Sequence, residues 1–166
     1  LKIIFFVSII FINIPLLLTA QVKIPTQSEF FEIIRTEGAH KGADIFNQIM
    51  DAFPDTVFFS EDDMNSLGYE FIYADQFNEA IIVFQMNIKA YPESWNVYDS
   101  MAEACMNNKD KKKAIEFYKK SIKINPDNEN GYLYQFVLSN YEKMEAQIEM
   151  RDGVKLFTSV YMPVDK

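Results

Sequence analysis

"MNSLGYEFIYADQFNEAIIVFQMNIKAYP", Met64 to Pro92, is followed by "YDSMAEACMNNKDKKKAIEFYKKSIKINP", Tyr98 to Pro126. The two stretches agree in kind at one fixed displacement, so that Ala80, Phe84, Ile88 and Pro92 return as Ala114, Tyr118, Ile122 and Pro126. Ahead of them, Met64, Leu67, Gly68 and Phe71 return as Tyr98, Met101, Ala102 and Cys105 at the same offset. Spacings of three, four and seven place each leading set on one face of an α-helix. A fixed period of this length marks an array in which each unit buries its apolar face against its neighbour.

Each recurring position has a steric cause. Gly68 and Ala102 are small where two helices cross closely, and Ala80 and Ala114 are small where the partner crosses back. Phe84 and Tyr118 fill the space between them. Pro92 and Pro126 end each hairpin, because proline disfavours helix at the residue before it and lacks an amide donor. Ser60 with Asp63 three residues on reads as a capping box with Asp in place of Glu, and Ser94 and Asp110 stand where N-caps are expected.

These residues resemble the tetratricopeptide repeat, a helix-turn-helix unit with small, aromatic and proline positions in this order. Two repeats match, from Glu61 to Pro92 and from Trp95 to Pro126. The wording "LGYEFIYADQFNEAIIVFQMNIKAYPESWNVYDSMAEACM" is also similar to repeat modules attached to exported bacterial serine hydrolases. The fold class expected is all-α, a short stack of helical hairpins with a β-hairpin at its end.

Two repeats bury too little alone, and their neighbours are visible. Residues 21–58, with "SEFFEIIRTEGAHKGADIFNQIMDAFP", read as a degenerate helical pair ending at Pro54, whose step to Pro92 is slightly longer than the period. His40 in "GAHKG" reads as a loop residue. The two repeats occupy 59–128. Residues 129–144, with "NGYLYQFVLSNYEKM", read as one helix carrying Gln135 and Phe136 where the pattern wants a leucine and a small residue, so it caps the stack.

Residues 1–20 carry a single lysine, Lys2, then an uncharged apolar run ending in the small Ala20. That layout predicts a secretory signal peptide cut between Ala20 and Gln21, and hence an exported, periplasmic or extracellular protein. A membrane anchor is the other reading of the run, which Asn13 and Pro15 interrupt.

Acids outnumber bases 24 to 16, a net charge of −8 without a basic stripe, which sets aside nucleic acid and, after signal cleavage, membrane as partners. One Cys and one His build neither an internal disulfide nor a Cys/His zinc site. Cys105 falls on an apolar stripe as a core residue. No nucleophile elbow and no glycine-rich phosphate loop occurs, so no catalytic residue, cofactor or metal site is assigned. "SEDD" from Ser60 to Asp63 suits a helix N-terminus for dipole and capping reasons. Lys109 to Lys113, with Lys119, Lys120 and Lys123, make one basic helix, either a solvated outer face or a docking surface for an acidic partner.

The resemblance to tetratricopeptide repeats implies a concave groove lined by the first helix of each hairpin. Carried over, its positions are Asp62, Asn65, Tyr69, Ile72 and Tyr73, then Asn96, Asp99, Glu103, Met106 and Asn107. Acids at Asp99 and Glu103 disfavour a ligand that presents its C-terminal carboxylate. The expected occupant is a protein or peptide partner, or the chain's own next domain.

Residues 145–166 alternate apolar and polar side chains around Asp152-Gly153, a two-residue hairpin signal. "IEMRDGVKLFTSVYMP" resembles the opening strands of the Xaa-Pro dipeptidyl-peptidase and cocaine-esterase group of α/β hydrolases. That resemblance implies a parent serine hydrolase acting on peptides or esters, truncated here before its catalytic residues. A stand-alone exported adaptor, binding partners through its groove and tail strand, is the competing reading.

Overall fold

The computed structural model describes residues 23–149 and 155–164. The expected signal segment 1–20 and the expected turn at Asp152-Gly153 lie outside the described residues. Seven helices follow one another: α1 (Gln27–Glu37), α2 (Ala39–Ala52), α3 (Glu61–Tyr73), α4 (Phe77–Ala90), α5 (Trp95–Asn107), α6 (Lys111–Ile124) and α7 (Glu129–Asn140). Two strands, β1 (Tyr141–Glu149) and β2 (Lys155–Pro163), follow among the described residues. α1 with α2, α3 with α4, and α5 with α6 pack as hairpins, α2 lies on α4, and α5 lies on both α3 and α4, which makes a stack.

The turns inside the two central hairpins are the same object. Asp75 and Lys109, one period apart, hold φ of 57° and 62°. In each turn two amides reach back to the last helical carbonyls: Asp75 N to Ile72 O and Gln76 N to Phe71 O, at 3.0 and 2.9 Å. Lys109 N to Met106 O and Asp110 N to Cys105 O repeat them at 3.0 and 2.9 Å. This is the paired C-terminal motif that usually places glycine at the left-handed position.

The helix crossings are as close as the small residues demand. A Cβ on Gly68 would overlap the Phe84 ring. Ala80, Phe84, Ala102 and Ala114 are fully buried, and Tyr118 nearly so. Each buried ring of this size contributes roughly 1.5–3 kcal/mol through apolar area alone. Cys105 belongs to the same core, and burial, reinforced by the charge of Asp110, pushes its thiol up to about 11. It is a packing residue with little thiolate at neutral pH.

The first hairpin differs from the reading given above. His40 lies in the first turn of α2 and not in a loop, because Gly38 alone makes the turn, at φ +94°. Gly42 is a helical residue against the Ile34 side chain, with no room for a Cβ. The Ala39 amide is capped from another hairpin, donating to Glu79 Oε2 at 2.7 Å. α1 starts in a complete capping box, with the Glu29 amide donating to Thr26 Oγ1 and the Thr26 amide to the Glu29 carboxylate. The link from α2 to α3 carries Phe58 and Phe59 back into the stack. Phe59 stacks on Phe30 at 5.9 Å, meets Phe58 edge-on at 5.3 Å, and lends its carbonyl to the Tyr91 hydroxyl.

The end of the stack is also corrected. α7 stops at Asn140, and the Tyr-Glu-Lys-Met of 141–144, expected as helix, opens β1. β1 and β2 pair antiparallel over nine positions, from Tyr141 opposite Pro163 to Glu149 opposite Lys155. The Val164 amide donates to Asn140 O at 2.8 Å, so the last helical carbonyl is taken by the returning strand. Helix propensity in this segment yields to pairing with a β-branched and aromatic strand. On α7 the side chains of Tyr132, Leu133 and Phe136 are exposed.

Candidate functional site

The capping positions locate the face that the first helices present. Ser60, Ser94 and Asn128 stand one period apart, each immediately before a first helix. Ser60 Oγ accepts from the Asp63 amide at 3.1 Å and donates to its carboxylate at 2.6 Å. Asp63 is one methylene too short to complete the box, and the Ser60 amide donates instead to Gln27 Oε1 at 2.9 Å. The Ser60 hydroxyl first, and then the Gln27 side-chain amide donating to Asp63 Oδ2 at 2.9 Å, hold the Asp63 carboxyl below its ordinary range. Ser94 makes no cap bond; its hydroxyl turns to Glu61 Oε1 at 2.8 Å. Asn128 does both tasks, accepting from the Gly131 amide through Oδ1 and donating through Nδ2 to Asp99 at 2.6 Å.

Polar side chains therefore tie each first helix to the next. Arg35 of α1 grips Glu70 of α3 with two bonds of 2.9 Å. Tyr69 of α3 donates to Glu103 of α5 at 2.7 Å. Asp99 of α5 receives Asn128 at the head of α7. Burial is the main cause that pushes the Tyr69 hydroxyl upward, with the charges of Glu103 and Asp99 adding to it. Tyr118 is pushed up likewise, first by burial and then by Asp99 and Glu103, and its ring stacks on Tyr134 of α7 at 5.6 Å.

The groove positions separate into four groups. Tyr69, Asn96, Asp99, Glu103 and Asn107 are engaged within the protein, Asn96 with Glu61 Oε1 at 3.2 Å and Asn107 with the Glu103 carbonyl at 2.9 Å. Ile72 is buried in the core and does not line a groove, while Met106 packs partly against that core. Asp62 and Tyr73 face solvent, Tyr73 at 83% exposure, with its ring 6.1 Å from that of Tyr69. Asn65 Oδ1 is buried without a hydrogen-bond partner among the described residues.

Sequence reasoning missed Glu61 and Asn128, together with Ser100, 3.5 Å from the Tyr69 hydroxyl, and Ser121, whose hydroxyl accepts from Asn128 Nδ2 at 2.7 Å. Asn128 had a signal, since it continues the Ser60 and Ser94 register. The basic helix is partly structural as well: Lys111 donates to Tyr141 O at 3.1 Å, Lys113 pairs with Asp110 at 3.1 Å, and the Lys120 ammonium sits 4.1 Å from the Tyr98 ring centroid. Among the described residues no group of three or more His, Cys, Asp or Glu side chains is placed to hold a metal ion.

This architecture is a tetratricopeptide-type stack of helical hairpins closed by a small antiparallel sheet. The model of the tetratricopeptide repeat matches residues 95–128, the second of the two central units. Among solved structures, the first tetratricopeptide domain of human RPAP3 is similar at 12% identity, over 68% of this chain and 85% of its own, with a TM-score of 0.47. A mutant of MamA is similar at 16% identity, over 65% of this chain and 76% of its own, with a TM-score of 0.48. The tetratricopeptide domain of Arabidopsis OM64 is similar at 10% identity, over 67% and 88%, with a TM-score of 0.45. No curated protein matches the chain.

Proposed function

We propose that the chain is a protein-interaction and positioning module at the N-terminal side of an exported α/β serine hydrolase of the Xaa-Pro dipeptidyl-peptidase kind, acting on peptides or esters. The observation that carries this reading is the β1–β2 ladder. Its nine pairs form a two-stranded sheet, and neither strand has a second neighbour among the described residues. A two-stranded hairpin is marginal in water and gains stability when further strands join it. β1 and β2 therefore suit the first strands of a larger sheet, and their sequence is the one that resembles hydrolase opening strands. The helical stack holds that sheet at its end through α7.

The first-helix face fits a protein surface better than a small ligand. Asp99 and Glu103 serve the neighbouring helices, which leaves aromatic and thioether area at Tyr73 and Met106. In this reading the groove meets either the attached domain or a partner protein, and the catalytic groups of the parent belong to sequence beyond Lys166.

The coding sequence past Lys166 tests the proposal. An open frame carrying a G-x-S-x-G-like elbow between a strand and a helix, followed by an Asp and then a His, is expected. A frame without such an elbow removes the hydrolase. It leaves the second reading, an exported adaptor that binds a partner through its groove and tail strand, which the solvent-exposed Tyr73 ring on the first-helix face favours.

A further inference from the structure

Asn130-Gly131 is the single Asn-Gly pair in the sequence, and it lies in the first turn of α7. Asparagine before glycine readily closes on itself, because no Cβ hinders the glycine nitrogen as it approaches the asparagine side chain. Packing explains why glycine stands there. A Cβ on Gly131 would meet Asn128 Nδ2 at 2.7 Å and Ile122 Cγ1 at 3.1 Å, so the contact of α7 with α6 keeps the residue small. Asn130 itself is exposed.

The nucleophilic nitrogen is restrained by one side chain. Gly131 N is among the first amides of α7, which find no carbonyl within their own helix. It donates to Asn128 Oδ1 at 3.0 Å. Asn128, 5% exposed, is fixed in turn, donating through Nδ2 to Asp99 Oδ1 at 2.6 Å and to Ser121 Oγ at 2.7 Å. While this relay stands, the hydrogen on Gly131 N is taken and the backbone is fixed as helix. Fraying of the first turn releases both.

We propose that Asn130 is a site of self-modification gated by the Asn128 cap, and that its isoaspartate form detaches α7 from the stack. When the turn opens, Gly131 N loses its proton to solvent base and attacks Asn130 Cγ. The new C–N bond closes a succinimide, and the side-chain nitrogen takes a proton and leaves as ammonia. Water then opens the ring at either of its two C–N bonds, giving aspartate or isoaspartate. Aspartate leaves the chain path unchanged and places an acid in a first helical turn, where it is favourable. Isoaspartate adds a methylene to the backbone between the cap and Gly131. The cap bond then no longer spans its distance, and the tie to Asp99 and the stacking of Tyr134 on Tyr118 are lost with it.

Ageing the purified full chain at neutral pH tests the proposal, with residue 130 followed by mass spectrometry of its peptides and by enzymatic methylation of isoaspartate. The expected result is slow conversion in the folded parent and conversion roughly fivefold faster in Asn128→Ala, whose remaining helices circular dichroism checks. Asn128→Ser, which keeps an oxygen for the Gly131 amide, is expected to recover most of the parent rate. Chymotrypsin should cut at Tyr132 to Phe136 sooner in the isoaspartate form than in Asn130→Asp, which carries the charge without the extra methylene. No conversion even in urea overturns the site. A parent rate equal to that in urea, or an Asn128→Ala rate equal to the parent's, overturns the gate. Equal digestion of the isoaspartate form and Asn130→Asp overturns the detachment.

Discussion

The Tyr69 hydroxyl and the Glu103 carboxylate, joined at 2.7 Å, are separated by one full period of 34 residues. The bond thus measures the repeat directly, running from a residue on one first helix to its successor on the next. Its donor and acceptor are both half-buried, so each loses water on assembly and needs the other.

Tyr69→Phe is expected to cost about 1–2 kcal/mol, the range for a hydrogen bond to a charged but partly solvated group. The same residue gives the fold an alkaline limit. Tyr69 and Tyr118 both keep their protons in the folded state to higher pH than in the unfolded chain, burial being the main cause. The unfolded chain then holds fewer protons than the native state once pH exceeds the ordinary tyrosine value of about 10. Stability is therefore constant in these two groups below that pH and falls as pH rises through and beyond it. Urea titrations between pH 8 and 11 should show the fall, and a shallower one in Tyr69→Phe; an equal slope in both proteins contradicts the assignment.

Gly68→Ala tests the helix crossing in the first repeat. The added methyl would overlap the Phe84 ring, which is fully buried. Overpacking of this kind costs roughly 1–3 kcal/mol, which outweighs the helix propensity gained over glycine. Thermal unfolding should show a lowered midpoint, whereas an exposed helical glycine changed to alanine would raise it.

Lys109→Gly is expected to stabilise the protein by about 0.5–1 kcal/mol, because a side chain at positive φ carries a local penalty of roughly 1–2 kcal/mol, which exceeds the unfolded-state entropy that glycine adds. Lys109 has φ of 62°. Asp75→Gly at the equivalent turn should behave alike. Denaturant midpoints for the two variants should rise together, and a fall in either would mean that its side chain supports the turn.

The central hairpins were legible because sterics dictate them: a small residue at a crossing, a ring beside it and a proline after it leave a pattern that spacing alone reveals. The first hairpin was harder. Gly38 and Gly42 look equivalent in "GAHKG", yet one makes a turn through its positive φ and the other makes room for Ile34 within a helix. The end of α7 was harder still. Glu142, Lys143 and Met144 are good helix formers, and only their pairing with the strand opposite makes them extended. Groove positions could be carried over from the repeat pattern, but their partners could not. That Glu103 answers Tyr69, or that Asn128 answers Asp99, depends on distances between helices that no periodicity encodes.

The hairpin has one further consequence, which is mechanical. Tyr141 faces Pro163, and the Val164 amide is bonded to Asn140 O, so the chain enters and leaves the hairpin at one point beside the last helix. Tension between the helical stack and residue 164 would therefore load the ladder at its open end, peeling its rungs in sequence instead of shearing them all at once. Such a hairpin yields at low force and lengthens stepwise, while the helices behind it stay folded. The first rungs to part are those nearest α7.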